Sequence, residues 1–98
     1  MKEISNLIAQ WAKDRNLHNG DTSRQMLKLI EEVGELASGI AKNDQALIID
    51  SLGDVYVVLK ILSLQLGLDL EECVMSAYNE IKDRKGKLVN GIFIKEIK

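Results

Sequence analysis

Two short acidic runs, one on each of two consecutive predicted helices, are the residues of this sequence best suited to chemistry. The first run contains Glu31, Glu32 and Glu35, and the second contains Asp50 and Asp54. Residues three and four apart share a face of an α-helix, so two facing helices would bring four or five carboxylates together. Their repulsion requires a cation or a proton, and carboxylate oxygens are ligands that Mg²⁺ and Mn²⁺ prefer.

The alternative is that these acids form an ordinary solvated helix surface, which is the usual role of such residues. Two features favour a site instead. Both runs lie within very apolar helices, where little solvated surface is available. Each run also contains a glycine, Gly34 or Gly53, in mid-helix, where glycine costs about 1 kcal/mol relative to alanine. A glycine there allows a close helix approach or access for a ligand.

The composition indicates one compact globular domain over residues 1–98. The chain is 46% hydrophobic and 29% charged, it contains no proline, and its only cysteine is Cys73. The few aromatic residues disfavour an all-β fold. No signal peptide is evident, and a single cysteine on a predicted apolar helix face is expected to be buried and structural. These features predict a cytoplasmic protein.

The charge is divided unevenly along the chain. Residues 31–54 carry six acids and one lysine, whereas residues 82–98 carry six bases and two acids. A nucleic-acid-binding domain would have a dominant basic face, so nucleic acid is not expected as a partner. An acidic centre with a basic tail suits a metal site beside groups that hold phosphates.

Helical periodicity predicts four helices. The first, residues 3–15, has Trp11 on its apolar stripe, where we expect a core residue; stacking on a nucleobase is the alternative. The second helix covers about residues 23–42, and Gln25 is expected on its surface. The third, residues 44–66, is apolar on nearly every side. A charged residue interrupts every window long enough to cross a membrane, so we expect oligomerisation to cover this helix.

The fourth helix follows the N-cap Asp69 and should bury a regular apolar stripe. Its members are Leu70, Cys73, Val74, Ala77, Tyr78 and Ile81. In the tail, Asn90-Gly91 between apolar pairs indicates a small hairpin. The predicted fold is therefore a four-helix bundle completed by oligomerisation, with a short C-terminal tail.

Three segments resemble the MazG-like, all-α nucleoside triphosphate pyrophosphohydrolases. They are KLIEEVGELA at 28–37, DSLGDVYVVL at 50–59 and YNEIKDRKGK at 78–87. The family pattern is EExxE, a spacer and then ExxD. The resemblance implies a helical homodimer or dimer of dimers. With Mg²⁺, or with Mn²⁺ in its place, such a protein would cleave a nucleoside triphosphate between its α and β phosphates.

The resemblance also implies roles for individual residues. Glu32, Glu35 and Asp54 would bind the metal, with Asp50 as a fourth candidate. Glu31 would be a further ligand or the base that activates water. The candidates for substrate contact are Asn79, Lys82, Arg84 and Lys28.

One position departs from the family pattern, because Ser51 stands where a glutamate is expected three residues before Asp54. Ser51 could ligate through its hydroxyl or through a water, and Asp50 could approach the metal from another angle. Three readings follow: an active pyrophosphohydrolase, a nucleotide-binding or regulatory member that has lost catalysis, and a plain oligomeric interaction module.

Overall fold

The computed structural model describes residues 2–96 and confirms the predicted four helices and terminal hairpin. Helix α1 is Lys2–Asp14, α2 is Thr22–Ala41, α3 is Gln45–Gln65 and α4 is Leu70–Ile81. A short 3-10 helix, Leu17–Asn19, lies between α1 and α2. Strands β1, Gly86–Val89, and β2, Ile92–Lys95, pair antiparallel.

Local side-chain chemistry sets the helix ends. Asp21, Asp44 and Asp69 are the N-caps of α2, α3 and α4, and each accepts hydrogen bonds from backbone N–H groups of the first helical turn. Gly67 follows α3 with φ +70°, the left-handed conformation that glycine adopts without a steric cost. The hairpin turn has positive φ at both Asn90 (51°) and Gly91 (79°), as a two-residue turn of this type requires.

Helices α2 and α3 form the central hairpin of the fold. The two helices approach each other closely at Gly39, which is buried. A Cβ added there would stand 3.1 Å from Ile48 Cγ1 and 3.2 Å from Ile48 N. At Gly34 and Gly53 an added Cβ would meet nothing within 4 Å. The close helix contact that the sequence suggested at these two glycines is therefore absent from the chain that the structure describes.

The core is small and centred on α3. Its buried apolar residues are Ala12, Val58, Ile61, Leu62 and Leu70. Other apolar residues of α3, including Ile49 and Leu52, are exposed. Within residues 2–96, no helix combines the length and apolar composition that crossing a membrane requires.

Helix α4 buries much less than its apolar stripe predicted. Only Leu70 at its start is buried, whereas Val74, Tyr78 and Ile81 are half or more exposed. Cys73 is also exposed, so the expectation of a buried cysteine was wrong for the single chain. The radius of gyration, 16.2 Å, exceeds the roughly 13 Å of a compact domain of this length. The periodicity of the stripe was correct, but nothing within the described chain covers it.

A partly buried ion pair links the start of α4 to α3. Lys60 of α3 is buried, and its Nζ lies 3.1 Å from Oε2 of Glu71. The nearby Ser5 of α1 and the paired Lys60 together lower the pKa of Glu71 to about 2. The pair thus connects α3 to the start of α4.

We expect Gly39→Ala to be less stable than Gly34→Ala by about 1–3 kcal/mol, the usual cost of overpacking. Both substitutions replace a helical glycine by alanine, so the gain in helix propensity is the same. Only Gly39→Ala places a methyl group against a neighbouring backbone. Urea unfolding of the two variants measures the difference. Equal stabilities would show that α2 and α3 separate without cost at Gly39.

Candidate functional site: a cavity with an acidic and an aromatic end

One cavity of about 580 Å³ brings both acidic runs together with the first helix. Its polar lining is formed by Gln25, Lys28, Glu32 and Asp54. Its aromatic and aliphatic lining is formed by Trp11, Leu17, Val57, Val58 and Ile61. Helices α1, α2 and α3 and the 3-10 turn therefore all contribute to one concave surface with a charged part and an apolar part.

Glu32 is the centre of the charged part. It is only 5% exposed, although it is a glutamate on a helix. One carboxylate oxygen, Oε1, lies 3.1 Å from Nζ of Lys28, one turn earlier on α2. The other oxygen, Oε2, is buried and has no hydrogen-bond partner among the described residues. A buried carboxylate oxygen without a partner is costly, so this position favours an added cation or proton.

The carboxyl groups beside Glu32 hold their protons more tightly than usual. The charge of Glu32 is the main cause that raises the pKa of Glu35. Burial is the main cause that raises the pKa of Asp54, and the charge of Glu32 adds to it. The hydrogen bond to Glu32 in turn raises the pKa of Lys28. The cluster is therefore short of positive charge even with Lys28 in place.

The other two predicted acids lie at the margin of this cluster. Glu31 is exposed, and its Oε1 lies 3.7 Å from Lys28 Nζ. Asp50 is exposed too, and its charge contributes to the raised pKa of Asp54. Between residues 2 and 96, no three side chains of His, Cys, Asp or Glu converge into a ready-made metal site. Glu32 has Glu35 and Asp54 as neighbours, but the full predicted ligand set is not assembled.

Ser51, which replaces the glutamate of the family pattern, is almost completely buried. It is 1% exposed, and its Oγ has no hydrogen-bond partner within residues 2–96. It does not line the cavity that contains Asp54. The structure thus gives its hydroxyl no contact with the carboxylates.

The predicted substrate contacts are divided between two regions. Lys28 lines the cavity, but Asn79, Lys82 and Arg84 do not. These three residues are exposed on α4 and the segment after it. Arg84 lines a separate cavity of about 300 Å³ beside the hairpin. A single chain therefore does not place its basic C-terminal residues at its own acidic cluster.

Two cavity residues were assigned by sequence to other roles. Trp11 was expected in the core, yet it is 46% exposed and lines the cavity. Gln25 was expected on the helix surface, yet it is half-buried on the same cavity. Their spacing alone could not reveal this, because the first helix and α2 reach the cavity from different directions. Gln65 of α3 fixes the intervening turn by donating a hydrogen bond to Leu17 O at 2.9 Å.

A comparison with protein-family models matches residues 21–89 to the MazG nucleotide pyrophosphohydrolase domain. This match covers more than half of the chain. The protein belongs to the MazG family. The matched segment of the chain contains both acidic runs and α4, whereas α1, with Trp11, lies outside it.

Among curated proteins, the chain is similar to a protein of Haemophilus phage HP1 (strain HP1c1). That relative is named "Uncharacterized 18.2 kDa protein in rep-hol intergenic region". The two are 47% identical over 70 residues, which are 70% of this chain and 43% of the phage protein. The match with this chain thus spans less than half of that relative's length. The search of solved structures gave no match.

We expect Asp54→Asn to raise the stability of the protein in chelator at pH 7, because it removes one charge from a crowded site. The pKa of Asp54 is raised in the folded state, so its charge destabilises the fold above that pKa and not below the unfolded value of 3.8. The advantage of the variant should therefore shrink as the pH falls from 7 towards 3.8. Urea unfolding at several pH values measures it.

Glu72→Gln, which removes an exposed carboxylate on α4 outside the cavity, is the matched control. The effect of Glu72→Gln on stability should not show the same decrease as the pH falls from 7 towards 3.8. Mg²⁺ should make the wild type more stable than Asp54→Asn, because a ligand at 100 times its Kd stabilises the folded protein by about 2.7 kcal/mol. A wild-type protein that Mg²⁺ leaves unchanged would contradict a metal site here.

Proposed function

We propose that this MazG domain hydrolyses nucleoside triphosphates to nucleoside monophosphates and pyrophosphate, with Mg²⁺ and with Mn²⁺ as a substitute. Family membership supports the reaction class. The observation that carries the proposal is the buried, unpartnered Oε2 of Glu32 beside Asp54 and Glu35, whose pKa values are raised. Such a cluster gains from binding a divalent cation, and the cavity beside it is open to a substrate. The proposed role is control or cleansing of the nucleotide pool.

Glu32, Glu35 and Asp54 are the proposed holders of the metal, with Asp50 at the margin. The donor set fits Mg²⁺, because it consists of carboxylate oxygens that share an excess of negative charge. When bound, the metal would neutralise phosphate charge and polarise the scissile phosphate.

The remaining charged residues supply proton transfer and phosphate contact. Glu31 is exposed next to the cluster and is the proposed base. It takes a proton from a water molecule whose oxygen bonds to phosphorus while the bond to the pyrophosphate leaving group breaks. Lys28, now paired with Glu32, would turn to the phosphates once the metal replaces it.

We further propose a homodimer or dimer of dimers in which a second copy brings Asn79, Lys82 and Arg84 to the site. These basic and polar residues do not line the cavity of their own chain. They share α4 and its following segment with exposed apolar residues such as Val74 and Tyr78. Covering this apolar face with a second copy would deliver the adjacent cations to an acidic cavity by charge complementarity.

The first test is pyrophosphate release from a panel of ribo- and deoxynucleoside triphosphates, with Mg²⁺, with Mn²⁺ and with chelator. Wild type should release pyrophosphate only with metal. Asp54→Asn should lose at least about 100-fold in kcat/KM, as expected when charge stabilisation of the transition state is removed. Glu72→Gln should retain wild-type activity.

No release from any nucleotide by a folded oligomeric sample would reject hydrolysis. Nucleotide binding would then favour a regulatory member in which Ser51 replaces a required acid. The absence of both release and nucleotide binding would favour the interaction module.

The second test is subunit complementation. Asp54→Asn and Lys82→Ala should each be inactive alone. If the site is shared, a mixture that exchanges subunits should regain up to about a quarter of wild-type activity, because half of the dimers are mixed and each has one intact site. A monomeric protein, or a mixture that stays inactive after subunit exchange, would contradict the shared site. Sedimentation velocity gives the oligomeric state.

A further inference from the structure

The apolar part of the cavity has no role in binding metal or phosphate. Trp11 and Leu17 lie on one cavity with Glu32 and Asp54, and their side chains offer no charge to a phosphate. A ligand that fills the cavity beside the proposed metal would therefore combine a part that binds the metal with a flat or apolar part. A nucleotide has both, and its base is the part that an aromatic wall binds by stacking.

Arg15 covers one face of the Trp11 indole and leaves other indole surface free for stacking. The guanidinium carbon of Arg15 lies 4.4 Å from the centroid of the Trp11 ring. Arg15 also donates a hydrogen bond from Nη1 to Trp11 O at 3.0 Å, which fixes the guanidinium over one face of the indole. The indole is nevertheless 46% exposed, so its uncovered surface is available to a ligand in the cavity. Large aromatic side chains give strong stacking at a low entropic cost.

Gln25 is the polar residue of the cavity that the proposed chemistry leaves without a role. It is half-buried on α2, one turn before Lys28. Its amide offers both hydrogen-bond donors and an acceptor, the combination found on the edges of nucleobases. A neutral amide can discriminate between bases by hydrogen bonding, and it attracts phosphate less strongly than a cation does.

We propose that Trp11 and Gln25 form the nucleobase subsite of this cavity, in which the indole stacks on the base and the Gln25 amide binds the edge of the base. The inference rests on the proposed function for the identity of the ligand as a nucleotide. It assigns stacking on the base to Trp11 of α1, which lies outside the segment matched to the MazG family, and contact with the edge of the base to Gln25 of α2, which lies within it. The stacking surface and the acidic cluster are then contributed by different helices.

The competing explanation is that Trp11 belongs to a surface for self-association. Ile4 and Trp11 are 47% and 46% exposed on the same helix, and Leu7 lies between them. Ile4 does not line the cavity. Ile4→Ala is therefore a matched control, since it removes an equally exposed apolar side chain of α1 from outside the proposed subsite.

Trp11 is the only tryptophan of the protein, so its fluorescence reports directly on stacking. Nucleoside monophosphates, titrated into the wild-type protein with Mg²⁺, should quench this fluorescence saturably and with different affinities for different bases. Ribose 5-phosphate, which lacks a base, should leave the fluorescence unchanged. Quenching by ribose 5-phosphate equal to that by nucleotides, or no quenching by any nucleotide, would overturn the subsite.

Steady-state kinetics separate this inference from the proposed reaction. Trp11→Ala should raise KM for the preferred triphosphate by roughly 5- to 150-fold, the range of base–aromatic stacking. Trp11→Phe should recover most of the loss, and Gln25→Ala should alter the order of preference among bases. Ile4→Ala should match wild type.

Each outcome assigns the result to one hypothesis. Active Trp11→Ala and Gln25→Ala proteins with unchanged KM and base preference would refute the subsite and leave hydrolysis intact. Base-dependent quenching without pyrophosphate release would support the subsite and refute hydrolysis. A Trp11→Ala protein that changes only its sedimentation would assign Trp11 to self-association, and circular dichroism checks that each variant is folded.

Discussion

The buried carboxylate of Glu32 is the constraint around which this structure is arranged. Glu32 lies where α2 faces α3, and only one of its oxygens is paired with a cation. Removing a carboxylate from water is expensive unless positive charge offsets it. Lys28 does this in part, and the raised pKa values of Asp54 and Glu35 indicate that charge remains uncompensated. The fold thus keeps uncompensated negative charge at this position, and a bound cation would neutralise it.

Three other features shape the helix pair and the cavity beside Glu32. Gly39 allows α2 and α3 to approach closely near their connection. The hydrogen bond from Gln65 to Leu17 O fixes the turn after α1, and this turn forms part of the cavity wall. Helix α1 then adds Trp11 at the opposite part of the cavity. Charge and aromatic surface are consequently combined in one space without sharing a helix.

A single chain leaves much of the apolar surface of α3 and α4 exposed to solvent. A chain of this length buries few residues, and here its extended shape leaves most of α4 uncovered. The hairpin after α4 is also exposed throughout, and an isolated two-stranded hairpin has little stability in water. These features give the proposed second copy a structural purpose as well as a catalytic one, since the same contact would cover α4 and deliver Lys82.

The sequence by itself determined the local structure. The N-caps Asp21, Asp44 and Asp69, the left-handed Gly67 and the Asn90-Gly91 turn act within a few residues, so their effects could be predicted along with the four helices. The i, i+3, i+4 spacing also placed Glu31, Glu32 and Glu35 on adjoining positions of one helix. Such spacing says which residues share a face but not what lies against it.

Only the tertiary structure decided which of these faces is buried and against what. It buries Glu32 while it leaves Glu31 exposed, it turns Trp11 and Gln25 to the acidic cavity, and it leaves the apolar stripe of α4 uncovered. Each of these outcomes depends on elements distant in sequence, whose relative positions follow from the sum of many weak packing contacts. No local pattern in the chain encodes that sum.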